Sequence, residues 1–95
     1  MSIRRWTFLS NHAHVLVAVA QDPTVRIRDL ATRIGITERA TQMILNDLVD
    51  AGYLARTRVG RRNRYELTRG QPLRHPLEAA RSVDEIVALF AALPA

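Results

Sequence analysis

Cysteine is absent from this 95-residue sequence, and so is lysine: all fourteen basic residues are arginine. Without cysteine there is no disulfide, no thiolate metal site and no thiol nucleophile. The absence accords with a reducing compartment. Glycine is scarce at four residues, and none belongs to a repeated-glycine loop of the kind that cradles phosphates. A nucleophile elbow is missing too, as is a histidine pair at helical metal-ligand spacing. Catalysis has no footing here, and the chain is expected not to be an enzyme. Apolar runs are short. Val15 to Ala20 is bounded by histidine and glutamine, and no run reaches the roughly 20 residues that a membrane span needs.

Arg4-Arg5, the apolar residues after them and Ala18-Val19-Ala20 have the outline of a secretory signal. Asn11, His12 and His14 interrupt that apolar stretch, and cleavage would strip the fold of its first helix. The segment is therefore expected to stay, and the protein to be cytoplasmic and nucleoid-associated. Arg4, Arg5 and Trp6 fit either a minor-groove arm or a lid over the core.

The arginines are concentrated. Between Leu54 and Arg74 there are seven, at 56, 58, 61, 62, 64, 69 and 74, against the single acid Glu66. That segment carries +6 while the whole chain carries +5, so the remainder is close to neutral. Localised positive charge points to nucleic acid. Ninety-five residues allow one domain with a small core, which favours support from a partner chain.

Ser10 or Asn11 suits the N-cap of a first helix that ends before Asp22-Pro23. Ala13 to Ala20 is apolar on nearly every side, so this helix is expected to be buried on two faces, one by its own core and one by a second subunit. Val25 and Ile27 alternate with Arg26 and fit a short third strand of a small sheet. Ile27, Leu30, Ala31 and Ile34 then mark one face of a second helix, stopped by Gly35. Thr37 caps a third helix, with Glu38 in its first turn, where the dipole favours an acid.

The third helix, 38–51, divides into two faces. Thr41, Ile44, Leu45 and Leu48 form a core stripe. Arg39, Gln42, Met43 and Asn46 lie opposite, and these side chains can pair with base edges or offer apolar contact. A solvated polar face would look similar. The glycine turn before this helix and the ribbon after it favour base reading in the major groove. Leu54, Arg56 and Arg58 are expected to share one face of the ribbon, with Tyr65 and Leu67 of the returning strand facing the helices. Gly60 to Asn63 is read as the loop, with glycine and asparagine at positive φ and two arginines at the tip. Arg56, Arg58, Arg61, Arg62, Asn63 and Arg64 would hold the backbone or enter the minor groove, and Thr37 would add a phosphate contact. A charged hairpin tip also guards an exposed edge, but such protection normally mixes signs or uses lysine.

Residues 69–81 read as an irregular connector around Gly70-Gln71-Pro72 and His75-Pro76. A last helix is expected over 82–95, opened by the Ser82-x-x-Glu85 capping box. Its apolar residues Val83, Ile86, Val87, Phe90 and Leu93, with Val15, Leu16 and Val19 of the first helix, are assigned to dimerisation. Residues 1–9 would be an arm and 10–68 the DNA-binding domain. The fold class is mainly α with a small antiparallel β-hairpin wing: a winged helix-turn-helix with an added C-terminal helix.

With these features the chain resembles the bacterial winged-helix transcriptional regulators of the MarR and ArsR type over about residues 10 to 68. Ile27-Arg28-Asp29-Leu30-Ala31, Gly35-Ile36-Thr37 and Leu48-Val49-Asp50-Ala51-Gly52-Tyr53-Leu54 carry the likeness. Ser10-Asn11-His12-Ala13, the wing string Arg58 to Tyr65 and Leu73-Arg74-His75-Pro76 are similar to a narrower group of small regulators. The resemblance implies a homodimer on a palindromic operator, with double-stranded DNA as partner and a repressor's role. Two departures stand out. The longer flanking helices that build a ligand pocket in MarR-type regulators have little room here, and the cysteines of metal-sensing ArsR types are absent. A protein-interaction adaptor and a non-specific chromosomal binder are the rival classes.

His12 and His14 lie two apart on a helix and point in different directions, so one metal cannot easily hold both. Nothing in the sequence brings His12 together with His75 and Asp22. Asp47 and Asp50 fit a solvated face better than a catalytic pair. No metal and no cofactor are expected.

Overall fold

The first helix starts where a free side-chain oxygen meets a free amide. Ser10 Oγ accepts the Ala13 N–H at 3.3 Å, satisfying one of the donors that a helix start leaves unpaired. In the computed structural model, which describes residues 6–91, helix α1 (Asn11–Gln21) then runs to the Asp22-Pro23 turn. It is followed by α2 (Ile27–Ile34), α3 (Glu38–Asp50), the antiparallel strands β1 (Leu54–Val59) and β2 (Arg62–Leu67), and α4 (Val83–Ala91). Arg4 and Arg5 lie outside the described residues, as does Leu93.

Helix α1 is the axis of the core. It packs against α2, α3, β2 and α4, which cover most of its apolar surface and leave Ala13, Val17 and Ala20 half-buried. Val15, Leu16 and Val19 are at most 3% exposed, and Val83 at the start of α4 is 2% exposed. This corrects their assignment to a dimer surface: side chains buried by their own fold offer nothing to a second subunit. Ile86, Val87 and Phe90 of α4 are only half-buried.

Gly35 ends α2 in the left-handed conformation, at φ 89°, and donates its N–H to the Ala31 carbonyl at 2.8 Å. Two residues later Thr37 Oγ1 accepts the Ala40 N–H at 3.0 Å and opens α3. The helix-turn-helix is therefore built from one glycine and one cap.

The expected third strand at 24–27 does not form; the sheet has two strands. Val25 closes a turn onto the Asp22 carbonyl at 3.1 Å, and Ile27 already belongs to α2. Tyr65 N–H donates to the Pro23 carbonyl at 2.9 Å, but proline has no N–H to return. The wing turn is also tighter than the sequence reading. Val59 pairs directly with Arg62, leaving only Gly60 and Arg61 between the strands. Gly60 has φ 61° and no other residue type has a positive φ among the described residues, the pattern of a type II′ hairpin. Asn63 is thus a strand residue opposite Arg58, and Arg62 begins β2.

The 69–81 connector forms no helix or strand, and hydrogen bonds close it on itself. Pro72 bridges Ser82, Leu73 N–H donates to the Arg81 carbonyl at 2.9 Å, and Val83 N–H donates to the Gln71 carbonyl at 2.9 Å. Tyr53 anchors the loop by donating its hydroxyl to the Pro72 carbonyl at 2.7 Å. Half of the expected capping box forms: Glu85 Oε2 accepts the Ser82 N–H at 2.9 Å, but the Ser82 hydroxyl donates to the same oxygen at 3.3 Å and the Glu85 N–H goes to the Ser82 carbonyl.

Two carboxylates secure this closure. Asp84 Oδ1 accepts the Gly70 N–H at 3.0 Å, and this bond above all holds its pKa below the ordinary carboxylate value. The Ser82 N–H does the same for Glu85. Folded pKa values below the unfolded ones mean that the stabilisation is complete near neutrality and is lost as pH falls through the folded values. Below about pH 4, the Gly70 and Ser82 amides are expected to lose protection relative to their intrinsic exchange rates while the α1–α3 core stays protected. Hydrogen exchange read amide by amide checks this; equal loosening of core and connector would contradict it.

Candidate nucleic-acid interface

Helix α3 keeps its two faces apart. Thr41, Ile44, Leu45 and Leu48 are buried, and the Thr41 hydroxyl is satisfied by the Thr37 carbonyl at 2.8 Å. On the opposite side Arg39, Met43 and Asn46 are exposed and Gln42 is half-buried. Met43 is 59% exposed, a large apolar side chain left in water on the helix that follows the glycine turn. All four base-reading candidates therefore share one outward face.

The wing lies beside this face. In the hairpin register Leu54 pairs with Leu67, Arg56 with Tyr65 and Arg58 with Asn63, so these residues share the helix-facing side of the ribbon. Arg62 and Arg64 occupy the other side with Thr57 and Val59, and Arg61 sits in the turn. Arg58 Nε donates to the Gly60 carbonyl at 3.1 Å, and Arg62 Nη1 to the Thr24 carbonyl at 3.3 Å. None of the wing arginines forms an ion pair among the described residues.

One link joins the wing to α3. Arg56 Nη1 donates to Asn46 Oδ1 at 2.9 Å, and Gln42 Nε2 donates to the same oxygen at 3.3 Å. The alternation of Leu54, Arg56 and Arg58 places Arg56 on the helix side, but its partner was not visible in the sequence. A second unforeseen pair is His12 Nε2 with Asp47 Oδ2 at 2.9 Å, which ties α1 to α3. It turns the acid next to Asn46 toward α1. No cluster of three or more metal-ligating side chains occurs among the described residues. Thr37 is exposed at the start of α3 with one lone pair used by its cap.

Among the described residues no helix is long and apolar enough to cross a membrane. No curated protein matches the chain. Solved structures do. The chain is similar to MepR, a transcription regulator of the Staphylococcus aureus multidrug efflux pump MepA, at 17% identity and a TM-score of 0.59, covering 88% of this chain and 56% of that one. It is similar to Streptococcus pneumoniae FabT, solved in complex with DNA, at 20% identity and a TM-score of 0.61, over 90% of this chain and 55% of that one. A Mycobacterium tuberculosis MarR family protein, solved with salicylic acid, is 28% identical at a TM-score of 0.56, over 92% of this chain and 67% of that one. The chain thus spans little more than half the length of the first two. The first two likenesses show the winged-helix fold. The family follows from the sequence match: residues 7–64 fit the model of the MarR family. Of the two regulator types that the sequence resembles, it is the MarR type that the match supports, a family of transcription regulators rather than enzymes. That match covers more than half of the 95 residues, and the chain belongs to the MarR family.

Proposed function

We propose that this protein is a sequence-specific, double-stranded-DNA-binding transcriptional regulator that acts as a homodimeric repressor. The observation that carries the reading is the outward face of α3, with Arg39, Gln42, Met43 and Asn46, set beside a wing whose arginines form no ion pair among the described residues. In this reading α3 enters the major groove, Arg58, Arg61, Arg62, Asn63 and Arg64 grip the backbone or minor groove, and Thr37 adds a phosphate contact. Residues 10–68 form the DNA-binding domain. The second subunit docks on the C-terminal helix through Ile86, Val87 and Phe90, with Leu89, which is 69% exposed. Half-sites then lie about 10 bp apart or a multiple of it.

Selection from a randomised duplex pool near physiological salt tests the proposal. Enrichment of an inverted repeat is expected. Recovery of DNA without a motif would favour a general chromosomal binder, and recovery of none the protein-adaptor reading. On the selected duplex, Gln42→Ala is expected to cost about 1–3 kcal/mol at one base position and to relax preference there. An equal loss on every sequence would remove Gln42 from base reading.

A further inference from the structure

We infer that Arg56 is a specificity-determining residue, which fixes the Asn46 amide as a pure hydrogen-bond donor and so makes α3 select guanine over adenine at one position. The inference rests on the reading of α3 as the base-reading helix and adds to it what one of its side chains can recognise.

The argument begins with what an arginine can do. A guanidinium only donates, so the amide atom that faces Arg56 Nη1 at 2.9 Å is the oxygen. Gln42 Nε2 supplies a second donor to that oxygen at 3.3 Å. A carbonyl oxygen has two lone pairs, and both are now engaged. Asparagine reads adenine by using its oxygen and nitrogen together, against N6–H and N7 in the major groove. Here the oxygen is not free to accept N6–H. What Asn46 still offers, from an exposed position, is its pair of N–H donors. Guanine presents two adjacent acceptors, N7 and O6, and is the base edge that matches.

The register explains why Arg56 rather than another wing arginine holds this place. It stands on β1 opposite Tyr65, whose ring is buried among the helices, so the strand points Arg56 along the same side toward α3. Arg61 in the turn and Arg62 and Arg64 on the other side are not so directed, and Arg58, on the same side but next to the turn, donates to the Gly60 carbonyl instead. Arg56 therefore leaves the set of wing arginines assigned to the backbone. It acts through Asn46, which makes it a positioning residue, and an amide held in one orientation loses less freedom on binding.

The test is pool selection with the full chain as wild type, Arg56→Met, Arg56→Gln, Asn46→Ala and the Arg56→Met/Asn46→Ala double variant, each first shown to melt as the wild type does. The position governed by Asn46 is the one whose preference disappears in Asn46→Ala. The wild type is expected to hold guanine there by roughly 5- to 150-fold over adenine. Arg56→Met is expected to raise adenine to parity or above at that position only, because the freed amide can turn. Arg56→Gln, which can still donate to Asn46, is expected to keep guanine. In the Asn46→Ala background, Arg56→Met is expected to change no base preference, the signature of two residues acting as one unit. An unchanged motif with uniformly weaker binding in Arg56→Met would overturn the inference and return Arg56 to the backbone. Adenine preferred by the wild type at the Asn46 position would overturn it too. A wild type that enriches no motif is a separate failure, since it removes base reading by α3 itself.

Discussion

A variant carrying Arg61→Ala, Arg62→Ala and Arg64→Ala is expected to bind every duplex more weakly while ranking sequences as the wild type does. Each arginine that neutralises a phosphate releases condensed counterions and contributes about 0.9 to the slope of log affinity against log salt. Losing three such contacts makes that slope shallower by up to about 2.7. Arg61 and Arg64 are exposed and have no hydrogen bond among the described residues, whereas Arg62 already spends one N–H on Thr24. Arg62→Ala alone is therefore expected to move the slope least of the three. Stability is expected to change by about 0.5 kcal/mol or less per substitution, as for most surface changes. A salt titration of one specific and one scrambled duplex checks this. An unaltered slope would mean that the wing does not touch the phosphates, and a reordered sequence preference would mean that it reads bases.

The second large effect is on the fold. Leu45 has no exposed surface and lies at the centre of the stripe that α3 presents to the core. Leu45→Ala is expected to cost about 2–5 kcal/mol, the lost transfer energy together with the cavity left behind. A domain of this size typically holds only about 5–15 kcal/mol in total. The corresponding fall in melting temperature is roughly 8–40 °C. Met43→Ala, two residues earlier on the same helix but on the outward face, is the matched control. It is expected to leave stability within about 0.5 kcal/mol while weakening specific DNA binding. Thermal melts of the two variants decide the matter. Similar losses in both would mean that the two faces of α3 are not separated as the burial indicates.

Much of this architecture was legible from residue order because its determinants are local. Ser10, Gly35, Thr37 and the Ser82–Glu85 box act within a few residues of themselves, through caps and one left-handed turn. The spacing of Thr41, Ile44, Leu45 and Leu48 defined the buried side of α3, and with it the outward side where Arg39, Gln42, Met43 and Asn46 stand. The Leu54, Arg56, Arg58 alternation likewise oriented the ribbon. Other readings failed where burial depends on distant neighbours. An all-apolar helix demands cover on several sides, but its pattern does not say whose. The cover for Val15, Leu16 and Val19 turned out to be α2, α3, β2 and α4 of the same chain. The 24–27 segment had strand alternation, yet Pro23 withholds the N–H that a ladder needs and Ile27 is taken by α2.

Hydrogen bonds between remote side chains were beyond the reach of pattern altogether. Arg56 with Asn46, His12 with Asp47 and Asp84 with Gly70 are separated by 10, 35 and 14 positions, and no periodicity links such pairs. Their formation depends on a few tenths of an ångström in how helices and strands pack, because a hydrogen bond weakens steeply with distance and angle. The sequence by itself thus determined a winged helix with a basic wing, since propensity, capping and amphipathic spacing act at short range. Only the tertiary structure decided which side chains are occupied by one another and which stay exposed, because that is settled by contacts between elements distant in the chain.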